Sequence, residues 1–235
     1  MASYILIHGA WHASWCWGGV GELLSGQGHQ VIAPDLPGHG DNVKLHSEVK
    51  FQDYIDCILG CVRRCHEPPV VVGHSFAGMF LSQLAADYRD QIKKFIYVTA
   101  YVPLSGESFL RMSEKFSATP LSSELIVDKE KCSIFLKGEN LSGILYNCAS
   151  SEKQVMASSK VENEPLMPFA TPVKLSDFSY SDVDTHYIFC EQDQALKLSD
   201  QQWMAERTQG KTSFLPCDHS PFLSMPEALV LLLTQ

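Results

Sequence analysis

The chain has 235 residues, 45% of them hydrophobic and 19% charged, with a formal net charge of −9 at pH 7. That length and apolar fraction suit one α/β domain with a sizeable core and exclude a disordered or fibrous chain. The acidic balance argues against nucleic-acid and anionic-membrane partners, which want a basic face, and no apolar run approaches the ~20 residues of a membrane span.

Taken in order, Tyr4–His8 reads as a strand. No basic leader or cleavage region precedes it, so a cytoplasmic protein without a signal peptide is expected. Trp15–Gln27 reads as a helix with Ser14 as N-cap and Gly28 just past its end. Gln30–Ala33 is a short strand stopped by Pro34, and Pro and Gly make the stretch through Gly40 a loop. Phe51–Cys65 has helical periodicity, with Tyr54, Ile55, Ile58, Leu59 and Val62 on its apolar stripe. Strand Val70–Val72, helix Phe76–Tyr88 and strand Lys94–Thr99 follow.

The rhythm fails from Pro103 to Tyr180, where Ser, Lys, Glu and Pro are frequent and the apolar runs are short. This stretch reads as an inserted cap of irregular helices. Strand His186–Cys190, helix Leu198–Arg207, strand Lys211–Leu215 and helix Pro226–Leu233 then restore the pattern. Continuous apolar strands separated by helices indicate a mostly parallel sheet covered on both faces. The expected organisation is an α/β core of residues 1–102 and 181–235 with a cap, or lid, at 103–180.

Eight cysteines raise the question of disulfides or metal. Cys57, Cys61 and Cys65 line one face of a helix, and neither C-x-x-C nor a Cys/His zinc spacing occurs. Reduced thiols and no metal are expected. His8 and His12 are four apart but lack the acidic partner of H-E-x-x-H.

The chemistry-bearing signal is Gly73-His74-Ser75-Phe76-Ala77-Gly78. A β-branched run leads into it and a helix-compatible stretch leaves it, the strand–turn–helix of a nucleophile elbow. Gly-x-Ser alone arises roughly once in a chain this long, and a second copy is present at Gly106-Glu107-Ser108. Pro103 interrupts any strand there and bulky Leu110 follows, so Ser108 is a decoy. Around Ser75 every level agrees except Ala77, where the usual pattern has glycine. The strained backbone is expected at Ser75 itself.

A serine hydroxyl needs a base, and the base an orienting acid. His219 lies in the loop beyond strand Lys211–Leu215, at the end where a nucleophile would sit. His186 begins its strand at the opposite end, and His74 should point away from the pocket. His29, His46 and His66 read as solvent-facing. The loop after strand His186–Cys190 supplies Glu191 and Asp193, the latter deeper in the turn. Asp218, adjacent to His219, suits the hydrogen bonding of its own loop. Two backbone N–H groups are expected to form an oxyanion hole, Phe76 after the nucleophile and Ala10 in the loop after the first strand. Phe109, Met112 and Phe116 either meet a substrate or pack locally.

At these residues the chain resembles the plant methylesterase and hydroxynitrile lyase group of α/β-hydrolases and related small bacterial esterases. The likeness is carried by Ile7-His8-Gly9-Ala10-Trp11-His12, Gly28-His29-Gln30-Val31, Gly73-His74-Ser75, Leu145-Tyr146-Asn147-Cys148, Cys190-Glu191-Gln192-Asp193, Gln202-Trp203 and Asp218-His219. It implies an α/β-hydrolase fold, no cofactor, a Ser75–Asp193–His219 triad and an acyl pocket beneath the cap, and it selects Asp193 over Glu191. The lyase members carry threonine at the place of Gly9 and lysine directly after the catalytic histidine, where this chain has Ser220. The expected function is therefore hydrolysis of a small carboxylic ester through an acyl-enzyme. A ligand-binding receptor with slow or single turnover is the alternative, with a lyase or a structural protein behind it. A homodimer is left open.

Overall fold

The computed structural model describes residues 1–116, 118–138 and 140–235. Strand β1 (Ser3–Ile7) opens the chain, followed by helix α1 (Gly18–Gly26), β2 (Gln30–Ile32), α2 (Phe51–Val62), β3 (Val70–His74), α3 (Gly78–Tyr88) and β4 (Lys94–Val98). The next segment holds α4 (Phe109–Ser113), α5 (Pro120–Glu124), β5 (Leu125–Asp128), β6 (Ser133–Leu136), α6 (Leu141–Leu145), α7 (Ser151–Ser158), β7 (Glu164–Pro165) and α8 (Leu166–Ala170). The chain finishes with β8 (Thr185–Cys190), α9 (Leu198–Ala205), β9 (Lys211–Leu215), α10 (Pro221–Ser224) and α11 (Pro226–Leu233).

Six strands form one sheet in the order β2-β1-β3-β4-β8-β9, and every pairing is parallel. The alternation of side chains along each strand explains why these runs are apolar throughout. Ile5, Ile7 and Val71 face one core, shared with Ile55 and Ile58 of α2 and Phe80 and Leu84 of α3. Tyr4, Leu6, Val70 and Val72 face the other, shared with Val20 and Leu24 of α1 and Leu229 and Val230 of α11. Helices on each face leave only the strand ends for function, and the C-terminal ends of β1, β3, β8 and β9 converge on the same region.

The insert holds the expected short helices, α4 to α8, and adds a three-stranded antiparallel sheet, β5-β6-β7, that was not expected. Leu125–Asp128 pairs with Ser133–Leu136, and Ser133 and Ile134 then pair with Pro165 and Glu164. These strands are four, four and two residues long, too short for alternation to show in a sequence. Smaller differences lie at helix ends. Ser14 opens a 3-10 turn, Ser14–Trp17, and its side chain caps nothing. A second such turn, Ser75–Ala77, precedes α3, and α2 ends at Val62 rather than Cys65. All eight cysteines are free. Among the described residues no helix is long and apolar enough to cross a membrane.

Candidate active site

β3 delivers Ser75 to the edge of the sheet with φ at +52°. A non-glycine residue there costs on the order of 1–3 kcal/mol, which the surrounding packing must offset. That packing is close. A Cβ on Gly73 would lie 2.6 Å from Leu81 Cδ1, and one on Gly78 only 2.0 Å from the Tyr101 carbonyl oxygen. The second position where glycine is required is therefore 78, and Ala77 stands at a place where a methyl fits.

Ser75 Oγ lies 3.0 Å from His219 Nε2, and His219 Nδ1 lies 2.6 Å from Asp193 Oδ2. With the Nδ1 proton donated to Asp193, Nε2 presents its lone pair to the Ser75 hydroxyl. Asp193 is buried and held by four further donors: Thr99 Oγ1 at 2.6 Å and Gln201 Nε2 at 3.5 Å on Oδ2, and the Ala195 and Leu196 N–H groups at 2.7 and 2.8 Å on Oδ1. Glu191 is exposed, and its carboxylate makes no hydrogen bond among the described residues. Asp218 accepts from the Ser220 N–H at 3.0 Å and the Ser224 hydroxyl at 2.8 Å, as its loop role requires, and also from the Cys148 N–H at 2.7 Å. Ser108 accepts the Arg111 N–H at 3.3 Å and caps α4, with no hydrogen bond to His219 or Asp193 among the described residues.

His74 turns from the pocket but is not idle. Its Nε2–H donates to the His219 carbonyl at 2.7 Å, so the residue before Ser75 fixes the backbone of His219. Burial and the neighbouring His219 hold its pKa well below the ordinary value, which keeps it neutral. His186 bonds Ser213 at the far end of the sheet. His46, expected in solvent, is instead half-buried and bridges Ser133 Oγ at 2.7 Å and the Gly38 carbonyl at 3.2 Å, joining the core to β6.

The N–H groups of Ala10 and Phe76 have no acceptor among the described residues, leaving them free for a developing oxyanion. The Ala10 loop is held from both sides. From the core, His8 donates Nδ1–H to the Gly9 carbonyl at 2.9 Å and accepts the Leu36 N–H at Nε2, 3.0 Å away. His12 donates Nδ1–H to the Ala10 carbonyl at 2.9 Å and accepts, at 2.8 Å, the hydroxyl of Tyr146, a residue of the insert. Each ring must be neutral to donate at one nitrogen and accept at the other. Burial drives the pKa of His8 to about 3 and of His12 to about 4.

From the insert, three groups grip Trp11, the residue after Ala10, whose φ is +61°. Its N–H donates to Glu164 Oε2 at 3.0 Å, its carbonyl accepts the Glu162 N–H at 2.9 Å, and its indole N–H reaches the Ile134 carbonyl at 3.3 Å. Glu164 also meets His39 Nε2 at 2.9 Å and the Tyr54 hydroxyl at 3.2 Å. Burial opposes a charge on His39, but the Glu164 carboxylate beside it prevails and raises its pKa. Nothing in the sequence marked Glu164 or Thr99, because their roles depend on partners 94 or more residues away.

A cavity of about 80 Å³ borders the site. It touches the oxyanion loop through Trp11 and the turn of the acid through Ala195 and Leu196, and Tyr101, Phe109, Phe116 and Asp200 are among its other walls. Phe109 and Phe116 thus face the cavity, whereas Met112 is fully buried in the core. Among the described residues no three His, Cys, Asp or Glu side chains are placed to hold a metal ion.

The sequence matches the profile of the alpha/beta hydrolase family over residues 4–230. It is 30% identical over 236 residues to the pyrethroid hydrolase of Sphingobium wenxiniae, aligning 96% of this chain with 84% of that protein. It is 29% identical to methylesterase 2 of Arabidopsis thaliana, covering 96% of this chain and 92% of that one. The crystal structure of polyneuridine aldehyde esterase superposes with a TM-score of 0.87 at 25% identity, covering 100% of this chain and 98% of that one.

Proposed function

Because the chain belongs to the alpha/beta hydrolase family, we propose that it is a serine carboxylic ester hydrolase working through an acyl-enzyme. The observation that carries this reading is the continuous relay from Ser75 Oγ through His219 to Asp193, at 3.0 and 2.6 Å, beside two unpaired N–H donors. Esterase and hydrolase relatives support it.

Ser75 Oγ attacks the ester carbonyl while His219 Nε2 takes its proton, and the carbonyl oxygen becomes an oxyanion facing the N–H groups of Ala10 and Phe76. Collapse of that intermediate breaks the bond to the leaving oxygen, which receives the proton from His219, and Ser75 remains acylated. His219 then deprotonates a water that attacks the acyl carbon, and the second collapse frees the acid and returns the proton to Ser75. Asp193 fixes the tautomer and stabilises the imidazolium without taking its proton. Each step is complete without a cofactor.

The partner is a small-molecule ester in a reducing, cytoplasmic setting, with neither nucleic acid nor membrane involved, and methyl esters are candidates on the strength of the methylesterase relatives. Lyase chemistry is not favoured: a Cβ at Gly9, which a threonine would need, would lie 2.7 Å from His74 Nδ1.

The test combines a short p-nitrophenyl ester and a fluorophosphonate probe with Ser75→Ala. Steady turnover and labelling, both lost in the variant, are expected. A single slow burst would instead indicate a receptor, and absence of labelling would overturn the role of Ser75.

A further inference from the structure

The cavity that meets the Ala10 loop at Trp11 and the Asp193 turn at Ala195 and Leu196 has one feature that ester hydrolysis alone does not use. Its walls include four aromatic side chains, Trp11, Tyr101, Phe109 and Phe116, and a single carboxylate, Asp200, in the first turn of α9. The Tyr101 and Phe109 rings lie 4.5 Å apart at their centroids, and Tyr101 and Phe116 lie 5.9 Å apart. Asp200 Oδ2 is buried and has no hydrogen-bond partner.

Three nearby carboxylates are satisfied, whereas Glu124 Oε2, on α5, is like Asp200 Oδ2 buried without a partner but does not line the cavity. Asp193 has His219, Thr99 and two N–H groups; Glu164 has His39, Tyr54 and the Trp11 N–H; Glu107 has Lys115 and Arg207. Among the described residues no lysine or arginine forms an ion pair with Asp200. Lys115 and Arg207, the cations on neighbouring elements, are both engaged by Glu107. Lys197, on the same turn, acts only at a distance.

An unpaired carboxylate oxygen removed from water is costly. Its position in the first turn of a helix makes the charge tolerable while the cavity is empty, but leaves its hydrogen-bonding capacity unused. Burial accordingly raises the Asp200 carboxyl above its ordinary value, with Lys197 pulling the other way. Aromatic ring faces attract cations for the same electrostatic reason that an anion does. A net charge of −9 over the whole chain adds to the attraction at long range.

We infer that Asp200 makes this cavity selective for aromatic esters that carry a protonated amine, and that it discriminates against neutral isosteres and against esters with a free carboxylate. The substrate's ammonium donates to Asp200 Oδ2 between the aromatic walls, while its ester carbonyl reaches Ser75. This substrate class rests on the serine hydrolase reading above, whereas the affinity of the cavity for an aromatic ammonium does not.

Two measurements test it. The first compares kcat/KM for 4-(dimethylaminomethyl)phenyl acetate and its neutral isostere 4-isobutylphenyl acetate, in the wild type and in Asp200→Asn. A charge-assisted contact predicts a preference of about tenfold or more for the cationic ester, and a fall of that ratio towards one in the variant. The second is calorimetry of benzylamine, with benzyl alcohol as the neutral control, on the wild type, Ser75→Ala and Asp200→Asn. Benzylamine should bind wild type and Ser75→Ala alike and about tenfold more weakly to Asp200→Asn. Ser75-dependent turnover of both esters with no discrimination, or a ratio unchanged by Asp200→Asn, would overturn the role of Asp200 and leave the hydrolase reading standing. Benzylamine binding that depends on Asp200, in a protein that hydrolyses neither ester, would do the reverse.

Discussion

The parallel sheet and the 103–180 segment contribute to one site in different ways. The sheet supplies the whole proposed relay: Ser75 after β3, Asp193 after β8 and His219 after β9. The insert supplies none of it, yet it holds Trp11 at its N–H, carbonyl and indole, next to the Ala10 donor. The sheet's residues are packed on both faces and cannot move singly. The insert's grip consists of a few hydrogen bonds between distant segments, several converging on one buried glutamate. The proposed relay thus rests on the sheet alone, whereas the Ala10 loop is held by both parts, so loosening the insert should impair the oxyanion geometry and leave the relay intact.

The largest effect is expected in the core. Ser75→Ala should lower kcat on a p-nitrophenyl ester by on the order of 10⁵–10⁶, and residual turnover within tenfold of wild type would break the division at its root. Asp193→Asn should cost about 10⁴ in kcat by imposing the wrong His219 tautomer. In the insert, Glu164→Gln should lower kcat by roughly 10- to 100-fold with KM little changed. It loosens the oxyanion loop without touching the nucleophile. A rise in KM at constant kcat would mean that the insert only shapes the pocket.

The two regions should also respond oppositely to pH. His8, His12 and His74 have pKa values depressed by burial. Their contribution to stability is complete above about 6.5, their unfolded value. It falls as pH drops towards their folded values, by up to about 1.4 kcal/mol per pH unit for each. The pKa of His39 is raised, so its pairing with Glu164 contributes below about 6.5 and is lost as pH rises through the folded value. Melting temperature should fall between pH 6.5 and 4.5, led by the core; a flat profile would show that these histidines are not held neutral. The smallest effect belongs to Glu191→Gln, which should leave kcat within about twofold because its carboxylate is exposed and unbonded. A large loss there would mean that the acid was misassigned.

The core was legible from the sequence because its strands are continuous apolar runs and its site residues all follow strand ends in chain order. Ser75, His219, Asp193, Ala10 and Phe76 could be chosen on that basis, with the family resemblance deciding between Asp193 and Glu191. The insert was not legible to the same degree. Glu164-Pro165 is a two-residue strand whose pairing to Ser133 and Ile134 leaves no periodic trace, and a Val-Glu-Asn-Glu-Pro run reads as a solvated loop. Thr99 and Glu164 gain their roles only when the fold brings distant segments together. Ala77 was the one local anomaly in the elbow. The structure resolves it by showing that the tightest approach, to the Tyr101 carbonyl, falls at Gly78.

The grip on Trp11 has a thermodynamic corollary. If the β5-β6-β7 sheet helps to shape the Ala10 donor, then an anion seated on that donor must stabilise the sheet by the same free energy, since coupling between two sites is reciprocal. A phosphonyl adduct on Ser75, whose oxygen occupies the oxyanion position, would therefore protect backbone amides of residues 125–165 from hydrogen exchange, although the adduct itself makes its bond to the core.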